Sequence, residues 1–178
     1  MTNSIFLTAV TRRLVAPILC VAAALLGGCA ITPSTPQSLV PATVDSATKH
    51  PQTVSVAAAG TVSHVSPETL AEALTASINK HKTFSRVIQG AGANYLLAVV
   101  LVNGDYPKFG ASFTVKIDMA WSLKRADGTV VWQEVIKSEG LAGAGEAFAG
   151  SERIRMAGER AVLNNIAQGL GKISKLKL

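Results

Sequence analysis

Nucleophilic, acid–base or metal-binding chemistry in this chain of 178 residues would have to come from two cysteines, three histidines and eleven carboxylates. The histidines are His50, His64 and His81. None has a second histidine or a cysteine at the short spacings that metal ligation uses, so a structural or surface role is expected for each, with no metal and no cofactor. Asp105, Asp118, Asp127, Glu134 and Glu139 fall singly on what read as strands and turns. A hydrolytic carboxylate pair needs two acids held a few ångströms apart, and no local spacing supplies one. Asp118 is placed instead to pair across a hairpin with Glu134 or Lys137. There is no Gly-x-Ser-x-Gly nucleophile elbow. The glycine-rich run 140–150 lacks the Gly-Lys-Ser/Thr ending of a phosphate-binding loop and reads as a flexible connection. Such connections carry contacts in small binding domains, so it is the first place to look for one. No catalytic residue is expected, and a hydrolase assembled from distant residues is the remote reading.

The cysteines tell more. Arg12-Arg13 precedes an apolar run from Leu14 to Leu26, and Gly27 and Gly28 follow. A basic stretch, an apolar stretch of this length and small residues make a secretory signal. The run is too short to span a bilayer, which takes about 20 apolar residues. Leu26-Gly27-Gly28-Cys29 resembles the lipobox of bacterial lipoproteins, in which small residues let the signal peptidase draw the chain past a lipid-modified cysteine. The resemblance implies cleavage after Gly28, with lipid on Cys29 as the first residue of the mature chain. The flanks of the twin arginine, Thr11 and Leu14, suit general secretion better than the twin-arginine route. Ala30 stands where an aspartate would mark inner-membrane retention in enteric-type bacteria, so the outer membrane, at its periplasmic face, is expected. Cys20 leaves with the signal. The mature domain then holds no free thiol and no disulfide, and its stability must come from packing.

Removing residues 1–28 leaves 150 of the 178 residues, the length of one domain. Of the 17 basic residues 15 remain, against 11 acidic, a net charge of +4. These charges are dispersed, with short groups only at Lys80/Lys82 and at Lys172, Lys175 and Lys177. Nucleic-acid binding calls for a denser basic stripe with aromatics between, so no nucleic acid is expected, and the basic residues suit solvent and anionic headgroups.

What must position any contact site is a set of elements legible from period. Residues 29–52, with Pro33, Pro36, Pro41 and Pro51 among Ser, Thr and Ala, have no apolar period and read as a lipidated, extended tether. Residues 53–178 then form a single periplasmic domain. Residues 53–56 and 60–65 suggest one strand or two short ones. Ser66-Pro67-Glu68 is a helix start, and Leu70, Leu74, Ile78 and His81 give that helix a face. Phe84 to Val87 is a link or short strand. Residues 94–102 are apolar on both faces, which predicts a central strand covered at least partly on each side. From Phe113 to Leu123 apolar and polar residues alternate strictly, as in a half-exposed strand. Asp127-Gly128 turns the chain, and residues 130–136 return as the partner strand. Ser151 to Leu176 reads as a long helix that Gly158, Gly169 and Gly171 weaken, with a kink or fray expected near Gly169. Together these predict an α+β fold: a mainly antiparallel sheet of about four strands with two helices on one face.

The stretch from Leu70 to Trp132 has a helix ending near Phe84, a strand opened by Ala93-Asn94-Tyr95-Leu96-Leu97, an alternating strand, an Asp-Gly hairpin and Val-Val-Trp. In this it is similar to small Gram-negative envelope lipoproteins of the ABC-transport auxiliary and YajG-like kind, and to the amino-terminal domain of TolB. Those families often have Ala-Asp-Tyr where this chain has Ala93-Asn94-Tyr95. The resemblance implies an α+β periplasmic domain that serves without enzymatic activity as an accessory subunit of an envelope complex for transport or outer-membrane assembly. The membrane, through Cys29, and an envelope protein are its implied partners. A carrier for a lipid or other apolar ligand, held between sheet and helices against Met119, Trp121 and Leu170, is the alternative.

Overall fold

A computed structural model of the chain describes residues 33–62 and 64–178. The signal segment, with Leu26, Gly27, Gly28 and Cys29, lies outside the described residues. Chain order is β1 (His50–Ala59), α1 (Pro67–His81), β2 (Phe84–Val87), β3 (Tyr95–Asp105), β4 (Phe113–Arg125), β5 (Val130–Ala142) and α2 (Gly150–Ile173). The sheet order is β2-β1-β3-β4-β5. β1 runs parallel to both β2 and β3, and the long β3-β4-β5 meander is antiparallel. The fold is α+β, as the periodicity predicts. The strand count is five rather than about four, because Phe84–Val87 pairs with β1 instead of merely linking.

The helices lie on one face of the sheet. Ser66 caps α1 by accepting from the Thr69 amide, with Pro67 in the first turn and Glu68 at the positive end. Leu70, Leu74 and Ile78 are buried beneath it. α2 continues unbroken to Ile173, against the expected kink at Gly169. A Cβ on Gly169 would overlap the ring of Trp121, so the glycine admits the indole rather than bending the helix. Gly140 does the same for β5: a Cβ there would overlap the Ala157 carbonyl and the Ala161 amide of α2. Both glycines spend helix or strand propensity on close approach.

The tether reading fails over the described part of residues 29–52. Thr35 caps a 3-10 turn at Pro36–Leu39. Leu39 is fully buried, and Pro41 and Ser34 are buried too. The segment is a strap laid along the helices. Lys80 and His81, at the end of α1, both reach the Pro41 carbonyl, at 3.0 Å each. Ser38 donates to Glu159 of α2 at 3.2 Å, and the Ala47 amide donates to Ser174 at 3.1 Å. β1 then begins at His50, three residues earlier than the alternation suggests; its buried ring lies 2.9 Å, through Nε2, from the Ile173 carbonyl. Prolines deny the strap a regular period, but helix side chains satisfy its backbone and one leucine fixes it. Period is therefore a poor guide to whether such a segment is bound.

Candidate functional site

Among the described residues, no group of three or more histidines, cysteines and carboxylates is arranged to hold a metal ion. The residues with chemistry are spread out. His50 and His81 hold the strap, and His64 lies in the turn before α1, where its carbonyl accepts the Ser34 amide at 3.3 Å. Asp127 accepts the Thr129 amide within the hairpin, which with a bond from the Thr129 side chain keeps its carboxyl below the usual range. Asp118 faces Lys137 in register at 3.8 Å, and Glu134 instead meets Lys172 of α2.

Around the lining expected for an apolar ligand, the space between sheet and α2 is filled by the protein itself. Met119, Trp121 and Leu170 are fully buried, and Trp121 donates Nε1 to Asn165 at 2.8 Å. Asn165 in turn donates to the Ile136 carbonyl and to Ser138. The lining expected for a carried apolar ligand is thus a packed core around a satisfied polar pair.

The run 140–150 divides. Gly140 to Ala142 belong to β5, and the loop 143–149 is pinned rather than loose. Glu146 accepts from the Gly143 amide at 2.7 Å and pairs with Arg160 of α2. The Arg160 guanidinium, with the amide bond behind it, draws the Glu146 pKa down to about 2. Arg155 bridges Glu152 and Glu159 one turn away.

What sequence reasoning misses is that the open face of the sheet carries exposed aliphatic side chains on β3 and β5. Outward residues of adjacent strands fall in register rows. Ala59, Val100, Ala120 and Val135 make one row across four strands, and Ala57, Ala98, Ser122 and Gln133 the next. Among the described residues, no element covers them. Leu96, Val100, Val102, Val130, Val135 and Leu141 are the exposed large aliphatic residues of the described chain, all on β3 and β5, with Val102 and Val135 just over half exposed. A shallow depression of about 420 Å³ adjoins the apolar rows, lined by Asn103, Asp105, Lys116, Asp118, Lys137 and Glu139. Two basic and three acidic groups there border the exposed aliphatic residues. The signal was present in residues 94–102, apolar at every position from Leu96 to Val102; it predicts cover on both sides, and the structure covers one.

No family model matches the chain, and no curated protein matches it. Solved structures do. A Xanthomonas campestris protein of the DUF330 family aligns at 14% identity over 72% of this chain and 89% of its own, with a TM-score of 0.54. A putative lipoprotein of Caulobacter crescentus aligns at 17% identity over 68% and 87%, with a TM-score of 0.51. A hypothetical protein of Chlamydia trachomatis aligns at 8% identity over 69% and 98%, with a TM-score of 0.50. At these identities the likeness is one of fold, and it extends over most of the described domain.

Proposed function

We propose that the chain is a lipid-anchored envelope lipoprotein, acylated at Cys29, that serves without enzymatic activity as an accessory or scaffold subunit of an envelope complex for transport or outer-membrane assembly. The observation that carries the scaffold role is the set of exposed aliphatic side chains of β3 and β5 on the sheet face that no described element covers. Rows of outward Val and Leu add nothing to a core on that side and cost solubility, so their use is a partner's surface. The lipobox-like Leu26-Gly27-Gly28-Cys29 supports the anchor, and Ala30 supports the outer membrane. The lipoprotein named among the structures of similar fold agrees with the anchor. The acyl chains of a lipoprotein, at about 0.8 kcal/mol per buried CH₂, hold a domain at a bilayer without a spanning helix.

The test is extraction of the full chain in mild detergent with its partner. The parent should bring down a defined envelope protein, and Val100→Asp/Val135→Asp should lose it while still fractionating with membranes. Cys29→Ser should release the protein from the membrane with its fold intact. Equal capture by the Val100→Asp/Val135→Asp variant would refute the docking face, and a membrane-bound, unlipidated Cys29→Ser variant would refute the anchor.

A further inference from the structure

The strap changes where the anchor must lie. Pro33 is the first described residue and Ser34 is already bonded to the His64 carbonyl. Three residues separate Cys29 from Pro33, and the four Cα–Cα steps between them span no more than about 14 Å when fully extended. Pro33, where the described residues begin, lies at one pole of the sheet. That pole is defined by register. Ala59 lies beside Val100, Asp105 beside Lys116, and Phe113 beside Ala142, so the 60–65 turn, the β3–β4 loop, the β5–α2 loop and the starts of both helices share it. The 125–129 hairpin and the ends of both helices lie at the other.

Two aromatic side chains stand out at the anchored pole. Phe109 in the β3–β4 loop is 91% exposed and Phe148 in the β5–α2 loop is fully exposed. The backbone at Phe148 is tied to α2. Arg153 donates to its carbonyl at 3.0 Å and to that of Ala147, and the guanidinium lies 5.5 Å over the ring of Phe113. The exposed Lys108 adjoins Phe109. Glu146, the acid of the second loop, is neutralised by Arg160. Asp105 at the end of β3, His64 in the 60–65 turn, Tyr106 in the β3–β4 loop, Glu68 in the first turn of α1 and Glu152, paired with Arg155, in the first turns of α2 are further titratable groups at this pole.

We propose that this pole is a membrane-seating surface: Phe109 and Phe148 enter the interfacial layer of the bilayer that holds the Cys29 lipid, with Lys108 toward anionic headgroups. The inference rests on the anchor reading above. Aromatic rings prefer that layer, and a short lipidated leader delivers both to it at high effective concentration. The domain then stands on its pole, with the strand axes rising from the membrane and the open sheet face turned sideways toward a partner in the periplasm.

The experiment uses the full, lipidated chain in vesicles of phosphatidylethanolamine and phosphatidylglycerol. A single cysteine is introduced as Phe109→Cys, Phe148→Cys or, at the other pole, Thr129→Cys, and labelled with an environment-sensitive fluorophore; acylated Cys29 does not react. Mass measurement of the peptide carrying Cys29 comes first. Labels at 109 and 148 should be blue-shifted and quenched by a doxyl lipid several-fold more than the label at 129. With Cys29 acylated, labels at 109 and 148 as wet as that at 129 overturn the seating alone. Blue-shifted labels that no lipid quencher reaches place a second copy over the pole and also overturn it. An unacylated Cys29 overturns the anchor reading and the seating with it.

Discussion

The two faces of the β3-β4-β5 meander are built by alternate residues of the same strands, and they differ in what their apolar side chains accomplish. On the covered face Leu97, Val99, Val115, Met119, Trp121 and Leu123 are buried under α1 and α2. On the open face Val100, Val102 and Val135 remain in water. Burial of the first set drives folding, at roughly 1.5–3 kcal/mol for each large side chain. The second set contributes little to folding, and the docking proposed above would use it.

The comparison is sharpened first by its largest contrast. Trp121→Ala should destabilise the domain by about 3–5 kcal/mol, read from denaturant unfolding, because it opens a cavity against Gly169 and strips Asn165 of its indole donor. Leu39→Ala follows, with a loss of about 2–4 kcal/mol in the same measurement; a value near zero would return the strap to a tether. Val135→Thr, on the open face, should change stability by no more than about 0.5 kcal/mol while weakening partner capture. If it destabilised the fold as much as Leu39→Ala, the two faces would not be distinct.

A smaller effect concerns the β5–α2 loop. Glu146 is drawn down to about 2 by Arg160 and the Gly143 amide. Its unfolded-state pKa lies near the ordinary 4.5. The loop therefore keeps this contribution at every pH above that value and loses it progressively as pH falls through about 2. Amide exchange at Gly143 should stay slow at pH 4 and accelerate only near pH 2, whereas Glu146→Gln should exchange faster even at neutral pH. A loop released already at pH 4 would contradict the pairing.

Legibility in the sequence followed local chemistry. The Ser66-Pro67-Glu68 cap, the Asp127-Gly128 turn and the alternation from Phe113 to Leu123 each specify an element through its own residues, and each stands where expected. The strap did not announce itself, because its hold comes from Leu39 and from donors on distant helices, Lys80 and His81 among them. Gly169 misled for the same reason: as a helix residue it predicts weakness, and only the position of Trp121 across the core explains it. The open face was half legible. The unbroken apolar run from Leu96 to Val102 is visible in sequence, but which side goes uncovered depends on where both helices pack. The lipid-attachment motif at Leu26-Gly27-Gly28-Cys29 is legible in sequence alone and lies outside the described residues.

The most direct test of the docking account is site-specific photo-crosslinking in the intact envelope. A photoreactive amino acid in place of Val135, on the open face, should join the lipidated chain to one discrete envelope protein. The same group in place of Lys49, at the strap end of the other face, should not. Equal adducts from both positions, or none from Val135 while Lys49 reacts, would contradict it.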